Sequence, residues 1–230
     1  MVAVDGSSAS DNAFTYVYKD IMKRENEDLG VQDTLVVASI TNSKKDSFLP
    51  YNMKSQYLSD AYEAKVLPLG KNGRWAKRES DGVRSTKEQL WDLAEFEHCD
   101  IIVVGNHGRK GPKQEETVCG TVVEFLALNS KFPVLIIKDY RPRTVKPDGC
   151  LRWGVCYDSS TKSKKALQIV LNLMKKLDKL VIIHVHEEDN ALSTDVVKQF
   201  AEHEAKRFGI TKMEVVILDK IQGHKTSEII

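Results

Sequence analysis

The sequence predicts an α/β protein built on an open parallel sheet, followed by a partial second copy of the same arrangement. Short apolar runs alternate with longer amphipathic stretches, which is typical of strands joined by crossover helices. The apolar runs are rich in Val and Ile and lack alternating polar residues, as expected for strands that are buried on both faces. At 230 residues the chain can form one large domain or two small ones.

Five strands are predicted in the first part of the chain, each from one apolar run. These runs cover residues 1–4, 35–40, 65–69, 101–104 and 134–137. Between them, apolar residues at helical spacing predict helices at residues 12–24, 86–96 and 122–128. We therefore expect a complete first domain over residues 1–138.

A linker and a repeat follow. Residues 139–149, DYRPRTVKPDG, contain two prolines and a glycine among mixed charges, so residues 139–150 are predicted to be a linker. Beyond it, residues 155–176 align with residues 2–23 and place Asp158 on Asp5. A repeat of this length indicates a duplicated domain, and we assign residues 151–230 to it.

The second copy is predicted to be incomplete. Residues 180–186 align with residues 35–41, a loop is expected at 187–193, a helix at 194–208 and a strand at 213–218. Thr226 or Ser227 could cap a further helix. The fourth and fifth strands and the glycine loop of the first copy have no counterpart, so we expect a fragment of a longer protein.

Composition excludes several classes of function. Lys and Arg number 34 against 33 Asp and Glu, and a net charge of +1 gives no electrostatic signal for a nucleic-acid or membrane partner. The four cysteines have no CxxC spacing and are expected to be free thiols. Without a signal peptide or a long apolar run, we expect a cytoplasmic protein.

The candidate site lies where two strands of the first domain end. If strands one and four are neighbours, residues 5–8 (DGSS) and 105–108 (GNHG) line one crevice at the carboxyl edge of the sheet. Gly120 and Thr121 open the next helix, whose unpaired N–H groups and dipole favour an anion. This combination predicts a phosphate site.

Structural alternatives exist for each part of that site. Residues 5–8 could be a strand-to-helix turn with a serine N-cap, and the glycines could serve only the exit from a buried strand.

Two further features lie outside that site. His184 and His186 share a strand face but have no evident third metal ligand. Cys119 could have a lowered thiol pKa at the start of a helix, although a redox role is the minor interpretation.

The sequence resembles the universal stress protein family, a member of the adenine-nucleotide-binding α/β folds. Five segments carry the resemblance: VAVDGS at 2–7, LVVASIT at 35–41, DIIVVGNHGRKG at 100–111, GTVVEFL at 120–126 and KFPVLIIK at 131–138. The resemblance implies helices on both faces of a sheet of strand order 3-2-1-4-5. It also implies a dimer or interlobe contact through residues 134–137.

The resemblance implies an adenine nucleotide as ligand, ATP or a relative, with or without Mg²⁺. Nucleotide-binding relatives carry glycine, two residues, glycine, nine residues, then glycine with Ser or Thr. Here eleven residues separate Gly108 from Gly120, and they include Glu115 and Glu116, which would repel phosphates unless they point away. Arg109, Lys110 and Lys113 partly offset these charges.

The residues implied to contact the nucleotide are Asp5, Gly6, Ser7, Ser39, Gly105, His107, Gly108, Gly120, Thr121 and Val122. Asp5 and Ser39 would contact the adenine end, and the residues after strand four would hold ribose and phosphates. The resemblance implies a sensor or regulatory module of the stress response. The alternatives are a scaffold that has lost the ligand, and a weak ATPase. No catalytic motif is present, and the second domain is not expected to bind nucleotide alone.

Overall fold

The computed structural model describes residues 1–22, 32–111, 119–146, 149–186, 194–221 and 225–229. The chain divides into two compact units, Met1–Pro142 and Arg143–Ile230. None of the helices in these described ranges has the length and apolar character needed to span a bilayer.

The first unit contains a five-stranded parallel sheet of order β3-β2-β1-β4-β5. Its strands are β1 (Val2–Ala3), β2 (Leu35–Thr41), β3 (Gly73–Glu79), β4 (Ile102–Gly105) and β5 (Val134–Ile137). Val2 pairs with Val37 on one side and with Val103 on the other, so β1 is central. The predicted strand order is confirmed, and with it the adjacency of strands one and four.

Five α-helices surround this sheet. They are α1 (Ser8–Tyr16), α2 (Ser43–Asp46), α3 (Ser55–Val66), α4 (Thr86–Phe96) and α5 (Thr121–Asn129). A π-helical turn, Val17–Ile21, extends α1, and 3-10 turns occupy Tyr51–Met53 and Leu67–Asn72.

The predicted third strand at residues 65–69 was wrong. Leu58, Tyr62 and Val66 are buried at successive turns of α3, so Val66 belongs to the apolar face of that helix. The chain then makes a 3-10 turn through Leu67–Asn72, and the edge strand β3 begins at Gly73.

Helices cover both faces of the sheet. On one face Phe14 of α1 and Leu58 and Tyr62 of α3 pack against Val2 and Val37. A second cluster, which joins the other face of the strands to α4 and α5, contains Ala38, Ile102, Leu93 and Leu126. The inner strands β1, β2 and β4 are therefore buried on both sides, which accounts for their uninterrupted apolar runs.

The second unit contains a three-stranded parallel sheet of order β6-β7-β8, formed by Arg152–Cys156, Lys179–His186 and Lys212–Asp219. This order repeats that of β1-β2-β3. Helices α6 (Thr161–Leu173) and α7 (Thr194–Arg207) contribute to one apolar cluster with the strands, and α8 is Thr226–Ile229. The predicted loop at 187–193 lies outside the described residues, and the tandem duplication stays a prediction.

Candidate functional site

The turn between β1 and α1 is closed by Asp5. Its Oδ1 accepts hydrogen bonds from the backbone N–H of Ser7 at 3.0 Å and from the Ser7 hydroxyl at 2.6 Å. Ser7 is the N-cap of α1, because its hydroxyl oxygen accepts from the N–H of Ser10 at 3.3 Å. The expected capped strand-to-helix turn is therefore present, whatever else the turn does.

Gly6 makes a close approach that no other residue could make. Its φ of +83° is in the left-handed region, and a Cβ there would overlap the carbonyl oxygen of Asn52. The side-chain amide of Asn52 donates to the carbonyl oxygen of Gly6 at 3.0 Å. The segment before α3 thus lies directly against the turn, a contact that the sequence did not indicate.

The exit from β4 is equally tight. A Cβ on Gly105 would come within 2.5 Å of the backbone carbonyl of Ala9, so α1 packs directly against the end of β4. The backbone N–H of Asn106 donates to the carbonyl oxygen of Ile137 at 3.0 Å. The carbonyl oxygen of Asn106 accepts from the N–H of Gly120, also at 3.0 Å. These bonds hold the start of α5 beside the end of β4.

Asp5 and Arg109 join the ends of β1 and β4. The backbone N–H of Arg109 donates to Oδ2 of Asp5 at 2.9 Å, and its Nε donates to the Asp5 carbonyl oxygen at 2.9 Å. A Cβ on Gly108 would lie 2.9 Å from the same Oδ2, so a glycine is needed for this approach. Sequence reasoning noted Arg109 only as a compensating charge and missed this role.

The N-terminus of α5 has no side-chain cap. Gly120 occupies the N-cap position, and the first helical residues are Thr121 and Val122. The Nδ1 atom of His107 is buried and has no hydrogen-bond partner among the described residues, which omit 112–118. A Cβ on Gly120 would be 3.6 Å from the Cα of His107, so His107 lies beside the N-terminus of α5. Lys113, Glu115 and Glu116 lie outside the described residues.

Ser39 is separate from this group. It is 1% exposed on β2, and no residue in the described part of the chain hydrogen-bonds its hydroxyl. Strand alternation places its side chain on the same face as Leu35 and Val37. Within the described ranges no hydrogen bond joins it to Asp5 or to the residues after β4, so Ser39 remains a candidate through its buried unpaired hydroxyl alone.

The second unit has related features at aligned positions. Asp158, aligned with Asp5, accepts from the backbone N–H of Ser160 at 2.9 Å. Hydrogen bonds from Ser160 and Ser163 lower the pKa of Asp158 to about 2. His184, aligned with Ser39, is 1% exposed and has its Nδ1 2.8 Å from the Tyr157 carbonyl oxygen, whereas its Nε2 is unpaired.

Metal and redox chemistry receive no structural support among the described residues. No group of three or more His, Cys, Asp or Glu side chains in those ranges could hold a metal ion, and His184 and His186 gain no third ligand there. All four cysteines are free, and Cys119 packs beside the apolar cluster that contains Val123 and Leu126.

Comparison with known proteins gives a family match over the first unit and several similar solved structures. The model of the universal stress protein family matches residues 1–138. A search of curated proteins finds no match. Similar solved structures include the hypothetical protein PH0823, which is 16% identical, with 60% of this chain and 93% of that chain covered and a TM-score of 0.39.

Two further solved structures are similar at the same level. The hypothetical protein MJ0577 is 19% identical, with 61% of this chain and 94% of that chain covered and a TM-score of 0.40. A universal stress protein family member from Burkholderia pseudomallei is 20% identical, with 60% and 93% covered and a TM-score of 0.34. Because the family model matches more than half of its residues, the chain belongs to the universal stress protein family.

Proposed function

We propose that the first unit binds an adenine nucleotide in the crevice between the carboxyl ends of β1 and β4, and that binding has a sensing or regulatory role. The observation that supports it most is the uncapped N-terminus of α5 beside the buried, unpaired Nδ1 of His107. A phosphate group would satisfy both at once. Family membership supports the same ligand class.

The phosphate end would be held by backbone groups. The first N–H groups of an α-helix lack intrahelical partners, and the helix dipole adds positive potential there. Gly120 presents no side chain over them, and Thr121 supplies a hydroxyl group. Gly105 and Gly108 let the adjoining backbone approach closely. Arg109 adds a positive charge, and its Nε bond to Asp5 uses one of five guanidinium donors.

The adenine end would be held by Asp5 and Ser39. The Asp5 carboxylate accepts three described hydrogen bonds, two on Oδ1 and one on Oδ2, and a carboxylate has about four acceptor sites. One site on Oδ2 is therefore open to an exocyclic amine. The Ser39 hydroxyl is buried without a partner, a costly arrangement that a ligand donor or acceptor would relieve.

Ligand binding would change a contact that another protein can recognise. The nucleotide phosphates would compete with Asp5 for the guanidinium group of Arg109. The surface around Arg109 would therefore differ between the free and the bound states, and a partner that prefers one surface would respond to nucleotide concentration.

The first test is the thermal unfolding midpoint with and without Mg-ATP, ADP and AMP. A ligand at 100 times its dissociation constant stabilises by about 2.7 kcal/mol, which raises the midpoint by several degrees. Gly120→Asp is the decisive variant. The nearest atom to a Cβ at Gly120 is 3.6 Å away, so a side chain fits, and aspartate is a good helix N-cap. The variant should fold well and lose the shift, because its carboxylate occupies the phosphate position.

Gly120→Ser is the matched control. It provides a similar cap without charge, so it should retain a larger share of the nucleotide response than Gly120→Asp. A wild-type protein whose midpoint does not move at millimolar nucleotide would contradict the proposal.

A second candidate is a ligand-free scaffold that keeps the family fold. The Asp5–Arg109 contacts favour it, because the Asp5 carboxylate and the Arg109 guanidinium each already have a backbone hydrogen-bond partner within the chain. The same titration separates the two candidates. A turnover assay for released phosphate addresses the third alternative, weak ATP hydrolysis.

A further inference from the structure

We propose that the segment between β2 and α3 docks on an anionic lipid membrane. At its centre residues 48–51, Phe-Leu-Pro-Tyr, form the aromatic tip. Phe48 is 86% exposed and Tyr51 is 74% exposed, and Pro50 between them is also exposed. Neighbouring apolar side chains with this much exposure are unusual on a protein surface, and they indicate a site that contacts a protein or a membrane.

The backbone of the segment is held in place. The N–H groups of Phe48 and Leu49 donate to the carbonyl oxygens of Lys45 and Asp46 at 3.1 and 3.2 Å. The Asp46 carboxylate accepts from the Ser55 hydroxyl at 2.6 Å and so ties the start of the segment to the start of α3. The exposure of Phe48 therefore comes from an anchored turn.

Two further contacts orient the aromatic tip. The ring of Tyr51 packs edge-to-face on that of Tyr57, with centroids 5.1 Å apart. Asn52 donates to the Gly6 carbonyl oxygen at 3.0 Å, which anchors the segment on the β1–α1 turn. Neither contact involves a nucleotide, so the membrane proposal is argued from the exposed segment and not from the proposed function.

The segment that carries the aromatic tip has a net positive charge along its sequence. Outside it, the Glu79 carboxylate accepts from the N–H of Ser43 at 2.6 Å, at the start of the segment. Residues 43–57 contain Lys44, Lys45 and Lys54 against the single carboxylate of Asp46, a net charge of +2, whereas the whole chain has +1. None of these lysines forms an ion pair with another described residue. The Asp46 carboxylate accepts hydrogen bonds from the backbone N–H and the hydroxyl of Ser55, so it is held at the start of α3.

This combination fits a membrane interface better than a nucleic acid. Aromatic rings and proline can enter the headgroup boundary while lysines remain with anionic headgroups. Single-stranded nucleic acids instead require aromatic rings with free faces for base stacking. In the aromatic tip only Phe48 offers a free ring, because Leu49 and Pro50 have no aromatic face and the Tyr51 ring is packed on Tyr57.

The test is sedimentation of the full chain with vesicles of phosphatidylcholine alone and of phosphatidylcholine mixed with phosphatidylserine. We expect binding only to the mixed vesicles, weakened in high salt. Phe48→Ser should weaken it roughly tenfold, the effect of returning a buried aromatic side chain to water. Lys44→Glu combined with Lys45→Glu should weaken it by more than roughly tenfold, because each lysine contributes severalfold.

Matched variants elsewhere control for lost hydrophobicity and charge. Phe96→Ser removes a phenylalanine that is 68% exposed but lies between Glu95 and Glu97. Lys162→Glu with Lys165→Glu reverses two exposed lysines on α6. Both variants should sediment like the wild type, and circular dichroism confirms folding for all. Equal binding to neutral vesicles, no binding, or control variants as defective as the aromatic-tip variants would overturn the proposal. So would an oligo(dT) complex that depends on Phe48 when vesicles do not bind.

Discussion

Asp5 and Arg109 are 104 positions apart in the chain and are joined by two hydrogen bonds of 2.9 Å. One links the Arg109 backbone N–H to the Asp5 carboxylate, and the other links Nε to the Asp5 carbonyl oxygen. They connect the loop after β4 to the turn after β1, across the crevice of the candidate site.

Asp5→Asn is expected to destabilise the first unit by about 2 kcal/mol. An amide cannot accept on both atoms, so its NH₂ group would face either Ser7 or the N–H of Arg109, donor against donor. Urea unfolding with hydrogen exchange on peptides of the first unit measures the loss. Asp158→Asn changes the aligned position of the second unit. It should lower the free energy of unfolding of that unit by less than Asp5→Asn lowers that of the first, because no described arginine contacts Asp158. Equal losses would show that the Arg109 contact contributes little.

Ser39→Ala should leave the stability of the free protein unchanged or raise it by up to about 1 kcal/mol, since it removes a buried hydroxyl without a partner. The same change should weaken nucleotide binding. Ser10→Ala is the matched control. Ser10 is also buried, but its hydroxyl accepts from Asp5 and donates to the Ser7 carbonyl oxygen at 2.9 Å, so its removal should cost about 1 kcal/mol. A clear loss of stability in Ser39→Ala would mean that Ser39 has a structural partner.

Gly105→Ala should destabilise the first unit by at least about 1–3 kcal/mol, the usual cost of overpacking. The added Cβ would lie 2.5 Å from the backbone of Ala9, and backbone cannot move aside cheaply. Gly154→Ala provides the comparison, because its Cβ would meet only a side-chain methyl of Ile183 at 3.9 Å. Urea midpoints of the two variants should differ clearly. Similar midpoints would contradict the close packing of α1 on β4.

The stability of the second unit should fall between about pH 4 and pH 2 because of Asp178. Burial raises the pKa of this fully buried carboxyl, but hydrogen bonds from Arg143, Lys175, Leu151 and Trp153 outweigh burial and lower the pKa to about 2. A folded-state pKa below the unfolded value stabilises above the unfolded pKa, and this stabilisation disappears as pH falls through the folded pKa. The contribution is about 2 kcal/mol.

Asp178→Asn should remove the Asp178 part of that acid-dependent loss, while the part due to Asp158 remains, and should lower stability at neutral pH, since it removes the carboxylate that pairs with Arg143. Unfolding of wild type and variant from pH 7 to pH 2, followed by hydrogen exchange in the second unit, tests this. An unchanged pH profile in the variant would assign the acid sensitivity to other carboxyl groups.

We propose that β5 mediates self-association, as the family resemblance implies. β5 is the last strand of its sheet, and Ile136 is 36% exposed there. If two copies meet at this edge, Ile136→Lys should weaken the dimer at least roughly tenfold, because lysine on an edge strand opposes pairing. Light scattering after size exclusion measures the mass. Leu128→Lys, on α5 and 78% exposed, should leave it unchanged. A monomeric wild type would refute the proposal.

Several elements were predictable from the sequence because their signals are local. The predicted helix at 86–96 coincides with α4, which begins after a capping box formed by Ser85 and Glu88. The predicted strand at 134–137 coincides with β5. In both places the apolar spacing and the flanking residues agree with the tertiary environment.

The third strand was not predictable in the same way. β3 contains Arg74, Lys77 and Arg78, a composition that resembles a loop. An edge strand tolerates charge because only one side of it is paired. The apolar run before it, residues 65–69, belongs to the end of α3 and to the 3-10 turn that follows. Only the packing of α3 on the sheet distinguishes a helix from a strand there.

For this protein the sequence by itself determined the fold class, the central strands and the glycine and aspartate positions of the candidate site, because apolar runs and glycine spacing act over short distances along the chain. The tertiary structure decided that Arg109 contacts Asp5, that Asn52 lies on Gly6, and that Ser39 and His107 have buried polar atoms without a partner in the described ranges. It also left Phe48 exposed among lysines. These relationships depend on how distant segments pack, since a hydrogen bond between them forms only once the sheet order has brought their backbones together.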